Sequence, residues 1–279
     1  MMLHVFLAGC KGKSSKKPLP VRRMKGVIHS TRRAYLIVLL PIAALAAVML
    51  LPPIAQDPMY HAFADRRGLL GISSFLNVAT NLAFLAVGIA GISLCARRQH
   101  GLGARWAWMA CFTGVALVSL GSGYYHLAPN NGTLVWDRLP MSVGFMALSI
   151  AVLAEHVSLR LEKYLLAPAI ALGLASVIYW HYTDDLRLYV LVQFLPLLLL
   201  PAVLLLFDSP YTHRGLLPLA LAVYVIAKLA EHYDRAVFEI TGEIVSGHSL
   251  KHLLAALALL VVYWMLRRRA LLVERPGEP

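Results

Sequence analysis

The sequence predicts an all-α, polytopic membrane helix bundle, and three observations predict it. Hydrophobic residues make up 59% of the 279 and charged residues only 14%, with a mean hydropathy of +0.68, whereas soluble domains carry about 25% charged residues. Apolar stretches of about 20 residues, enough to cross a hydrocarbon core of about 30 Å, recur along the whole chain between short polar breaks. Basic and acidic residues then alternate from one break to the next, as the positive-inside rule requires.

The elements follow in order. Residues 1–33 read as a basic cytoplasmic arm, disordered, carrying Lys11, Lys13, Lys16, Lys17, Arg22, Arg23, Lys25, Arg32 and Arg33. Its Leu-Ala-Gly-Cys string ending at Cys10 has the look of a lipoprotein signal but lacks a basic n-region and a full apolar core. Met24 is an alternative start. The first span, 35–54, lies in a segment of 34–56, and Asp57 and Asp65 follow it. The second, 72–96, carries Gly88 and Gly91, small residues that allow close helix approach. Arg97, Arg98 and Arg105 separate it from the third, 106–127, and the turn-rich Pro129-Asn130-Asn131-Gly132 and Asp137 precede the fourth, 141–158.

Arg160 and Lys163 lead into the fifth span, 163–182, and Asp184 and Asp185 into the sixth, 188–207. Asp208-Ser209-Pro210 and Arg214 precede the seventh, 215–233; Asp234, Glu239 and Glu243 precede the eighth, 248–267, and a cytoplasmic tail of 268–279 completes the chain. Pro168, Pro196 and Pro201 fall inside spans, where neighbouring helices can satisfy the freed carbonyls. Three cysteines supply no disulfide framework, and Cys95 and Cys111 read as small packing residues.

An even number of spans puts both basic ends in the cytoplasm and the acidic breaks outside. The net charge of +12 therefore sits mainly in one tail and on one membrane face, where anionic lipids attract it. Nucleic acid is excluded as the partner on that ground. The lipid bilayer takes its place, and oligomeric state is left open.

Ionisable residues at membrane depth are costly and mark functional sites by default. Ser122 and His126 are four apart at the outer end of the third span, His248 and His252 are four apart at the outer start of the eighth, and Asp137 lies at the outer start of the fourth. Residues four apart project from one helix face, so three helix ends can converge on one outer site. Three imidazoles and an open position suit a catalytic zinc ion. Asp137 is suited to hold and deprotonate water, and Ser122 to orient it. Each residue alone has a plainer account: a boundary histidine forms hydrogen bonds, Asp137 caps a helix, and Ser122 bonds back to its own helix. Only their conjunction points to metal.

Ser-x3-His-x10-Asp followed far downstream by His-x3-His resembles the motif set of the alkaline ceramidases, within the CREST superfamily of seven-helix membrane hydrolases and receptors. The stretch YHAFADRRGLLGISSFLNVATNLAFLAVG, residues 60–88, is similar to the opening of bacterial ceramidase-domain proteins, and GSGYYHLAPNNGTLVWDRLPM and AKLAEHYDRAVFEITGEIVSGHSLKHLLAALA resemble the same group. The resemblance implies a seven-helix ceramidase-like domain over 57–267, with 34–56 an additional N-terminal helix. It implies one Zn2+ on His126, His248 and His252, with Asp137 and Ser122 as catalytic residues. It also implies hydrolysis of ceramide or another N-acyl lipid to a sphingoid base, or other amine, and a fatty acid, in a bacterial inner membrane. Ser74 stands before Phe75 where the eukaryotic members carry a calcium-binding Glu, which puts Ca2+ in doubt; Asp65, Arg66, Asn77 and Asn81 are expected to form a structural polar network instead.

A receptor or sensor retaining the zinc site without turnover is the alternative reading. A haem carrier would need facing histidines at mid-depth, whereas these cluster at one boundary. A His-Glu-x-x-His protease is disfavoured, since Ser249 follows His248. Glu155, Asp184, Asp185, Arg187, Gln193, Lys228, Glu231 and Asp234 are expected to pair across helix ends, with Lys228 and Glu231 bridging along one helix.

Overall fold

The computed structural model describes residues 31–98 and 102–272. Cys10, Met24 and the basic arm to residue 30 lie outside the described residues, as does the tail from 273. Among the described residues the chain is all-helical apart from turns and two isolated bridges. The helices are α1 (Thr31–Met49), α2 (Phe75–Ala79), α3 (Leu82–Arg97), α4 (Arg105–Leu127), α5 (Asn131–His156), α6 (Arg160–Thr183), α7 (Arg187–Leu206), α8 (Leu216–His232), α9 (Asp234–Ile240) and α10 (Gly247–Arg268).

Among the described residues six spans are long and apolar enough to cross a membrane: α2 with α3, α4, α5, α6, α7 and α10. A seventh is made by α8 with α9 if this pair, bent by 86°, counts as one span. The protein is an integral, multi-pass membrane protein. Neighbours in sequence are largely neighbours in space, from α3 on α4 and α4 on α5 to α6 on α7, while α10 closes the bundle against α8 and α3. Helix α1 packs on α7 at the periphery and leaves most of its surface exposed. Its C-terminal carbonyls are held by Arg187, which donates to Leu51 O at 2.8 Å and Met49 O at 3.3 Å.

Several expected boundaries need correction. The expected first span is α1, which falls among the shorter apolar helices and not among the six spans, and it ends at Met49 rather than 54, because Pro52 and Pro53 cannot continue it. Arg32 and Arg33 belong to its first turns and not to a disordered arm. The second span is broken at Thr80-Asn81. The fourth begins at Asn131, ten residues before the expected 141, because Asn130 and Thr133 form a capping box that starts the helix irrespective of hydropathy. Asp137 is therefore buried in the second turn of a helix and does not lie at its edge. The seventh span turns sharply at Tyr233 into α9.

The end of the bundle that carries the start of α4 and the end of α10 is tied by a buried pair, Arg269 with Glu155, at 2.5 and 2.6 Å. Trp108 Nε1 donates to the same carboxylate at 2.7 Å. Cys95 and Cys111 are buried packing residues.

Candidate metal centre

The site is assembled by close backbone contacts at the other end of the bundle. A Cβ on Gly121 would lie 2.0 Å from Trp136 O, so glycine lets α4 and α5 touch beside Ser122 and Asp137. A Cβ on Gly247 would lie 2.1 Å from Ala230 O, which presses the first turn of α10 onto the end of α8. That turn is capped by Ser246, whose Oγ accepts from Ser249 N at 3.1 Å. At the α8–α9 bend, Asp234 accepts from His248 N at 2.7 Å and, through its other oxygen, from Ala64 N at 2.9 Å. One carboxylate thus fixes both α10 and the loop that carries Phe63.

Three histidines converge from two helices. His126, in the last turn of α4, and His248 and His252, one turn apart on α10, are all buried, and each offers a ligand atom within 4.8 Å of the others. His126 Nε2 and His248 Nε2 are 3.2 Å apart. His252 Nδ1 lies 2.9 Å from Thr80 Oγ1, while its Nε2 has no hydrogen-bond partner. Phe63 covers the cluster, its ring 4.7 Å from that of His126 and 4.5 Å from that of His248. Three buried imidazoles turned toward one another, one of them with an unpartnered Nε2, fit a metal ion better than they fit each other.

Ser122 and Asp137 are buried next to this cluster. Both line, together with His252, the polar end of an elongated cavity. The cavity continues between α4, α5, α7, α8 and α10 past Val118, Met141, Phe145, Pro196, Leu217 and Val262. All five residues singled out in the sequence are therefore gathered at one place.

The neighbouring polar network differs in one member from expectation. Asn77 Nδ2 donates to Asp65 O and Asn81 Nδ2 to Asn77 O, but the partner of Asp65 is Arg67, at 2.8 Å through both Nε and Nη2. Arg66 is exposed. These bonds from the Arg67 guanidinium hold the Asp65 carboxyl below the usual carboxylate range. Asn77 Oδ1 accepts from Ser249 Oγ at 2.7 Å, which ties this network to the helix of His248 and His252.

Four neighbours escaped the sequence reading. Phe63 and Thr80 belong to residue types too common to stand out. Arg138 and Lys251 did carry a signal, a charge inside an apolar segment, masked by the more conspicuous Asp137 and histidines beside them. Lys228 and Glu231 are paired along α8, and Lys251 from α10 joins them at 2.9 Å from Glu231.

Residues 71–276 match the family model described as Ceramidase. No curated protein matches the chain.

Proposed function

Because the chain belongs to the ceramidase family, we propose that it is a zinc-dependent membrane amidohydrolase. It cleaves the amide of ceramide or a related N-acyl lipid to a sphingoid base, or other amine, and a fatty acid. The observation that carries this reading is the convergence of three buried imidazoles, one with its outer nitrogen already engaged by Thr80.

His126, His248 and His252 would hold the ion. Bound there, zinc supplies Lewis-acid polarisation of the amide carbonyl and lowers the pKa of water. Asp137 accepts a proton from the attacking water and returns it to the nitrogen of the leaving amine. Ser122, beside the carboxyl, keeps it aimed at the cluster. Phe63 excludes bulk water from one side of the histidines, which strengthens every charge interaction inside. The apolar length of the cavity takes the acyl chain, so the substrate need not leave the hydrocarbon to react.

In this reading the hydrolase unit spans 57–267 and α1 is an added helix. The alternation of basic and acidic breaks supports cytoplasmic termini and a site near the outer face. The reading is tested by mass-spectrometric detection of the amine released from N-acyl lipids, with wild type compared against His248→Ala. The expected result is loss of bound zinc and of release together, and full release without His248 would overturn it.

A further inference from the structure

Two arginines are buried among the described residues, Arg138 and Arg269. The charge of Arg269 is balanced by the Glu155 carboxylate, and Leu102 O accepts from it at 2.7 Å, although its Nε has no hydrogen-bond partner. The charge of Arg138 is not balanced. Among the described residues no carboxylate forms an ion pair with it. Its Nη2 donates to the neutral Gln56 Oε1 at 2.6 Å, and its Nη1 has no hydrogen-bond partner.

The guanidinium is nonetheless held firmly. It lies 4.1 Å from the Trp180 ring centroid and 4.6 Å from that of Tyr189, with the Tyr60 ring at 5.6 Å. Aromatic faces stabilise a planar cation and fix its orientation without neutralising it. Gln56 in turn is anchored, its backbone N–H bonded to Asp184 at 3.1 Å. A buried cation left without a counter-charge is costly, and a firmly positioned one has a donor set ready for an oxyanion.

Arg138 faces the polar end of the same cavity as Asp137, Ser122 and His252. Lys228 and Lys251 line that end too and share a single carboxylate, Glu231. Three cationic side chains there meet two carboxylates, Asp137 and Glu231. The wall lacks one negative charge.

We propose that Arg138 determines substrate specificity by receiving an oxyanion on the amine half of the lipid. Preferred substrates are then N-acyl amines bearing a carboxylate or phosphate, in place of the neutral diol head of ceramide. The inference rests on the amidohydrolase reading for the identity of the scissile bond. Arg138 lines the same end of the cavity as Asp137, which serves the leaving amine, whereas the acyl chain runs the other way along the apolar wall. The group Arg138 meets therefore belongs to the amine side.

The test uses the purified full-length protein and three lipids with one acyl chain: N-dodecanoylglycine, N-dodecanoylphosphoethanolamine and the neutral N-dodecanoylethanolamine. Affinity is read as thermal stabilisation by each lipid, and turnover as amine released. The expectation is that at least one anionic lipid binds wild type about tenfold or more tightly than the neutral one, the scale of a hydrogen bond to a charged group. The better of the two anionic lipids tells carboxylate from phosphate. Arg138→Gln removes the preference by raising KM for the anionic lipids more than for the neutral one, and Arg138→Lys restores part of it.

Equal affinity of wild type for all three lipids overturns the inference, and that ordering needs no variant to fold. A uniform fall in kcat for every lipid in Arg138→Gln overturns it as well, since that is the mark of a group serving the transition state. Cleavage without anionic preference sinks this inference and leaves the amidohydrolase reading standing. Anionic preference in binding with no cleavage of any lipid does the reverse.

Discussion

His252 Nδ1 lies 2.9 Å from Thr80 Oγ1, and the same hydroxyl donates to Leu76 O at 2.7 Å. Having given its proton to the carbonyl, the hydroxyl accepts from the imidazole, which puts the ring proton on Nδ1 and leaves Nε2 as a lone pair turned toward His126 and His248. A partner on the outer nitrogen orients a ligating histidine and raises its basicity. Thr80→Val, which keeps the shape and removes the acceptor, is expected to lower zinc affinity by about 10- to 100-fold. Thr80→Ser is expected to retain it. Competition with a chromophoric chelator measures both.

Asp137→Asn keeps the volume of the side chain and removes its ability to take a proton. The expected outcome is full zinc content with turnover lowered by about 10² or more, the scale of a lost general base. Metal analysis and amine release on the same preparation separate the two effects.

Gly121 and Gly123 flank Ser122 but meet different surroundings. A Cβ at 121 would lie 2.0 Å from Trp136 O, whereas one at 123 has nothing within 4 Å. Gly121→Ala forces α4 and α5 apart beside Asp137 and is expected to cost about 1–3 kcal/mol by overpacking, with loss of activity. Gly123→Ala is expected to be tolerated. Thermal denaturation of the two variants in one detergent compares them directly.

Asp185 sits in the break between α6 and α7, bonded by Arg187 through Nε at 2.9 Å and Nη2 at 2.7 Å. Those bonds hold its carboxyl down at about 2. A carboxyl depressed by folding stabilises the fold fully above its unfolded value of about 3.9 and loses that contribution as pH falls through the folded value. Asp185→Asn is expected to destabilise by about 1 kcal/mol at neutral pH. The gap to wild type should close as pH falls from about 4 towards 2, which melting curves across that range reveal.

Much of the fold was legible because a bilayer imposes one demand on every span, and hydropathy records it. What hydropathy does not record is where hydrogen bonds start or bend a helix. The Asn130–Thr133 box begins α5 well before its apolar run, and the turn at Tyr233 directs Asp234 to the His248 backbone. The histidines and Asp137 stood out because few residue types bind metal or move protons at membrane depth. Thr80 and Phe63 did not, since their contribution depends on which rings they touch across the bundle. Arg138 lies between the two cases, a visible charge whose lack of a carboxylate partner only the packed structure reveals.

The most direct measurement follows amine release from an N-acyl lipid by the purified protein before chelation, after removal of bound metal, and after zinc is restored. The account predicts release in the first state, none in the second and recovery in the third, with neither loss nor recovery reproduced in His252→Ala. Undiminished release from metal-free protein would contradict it.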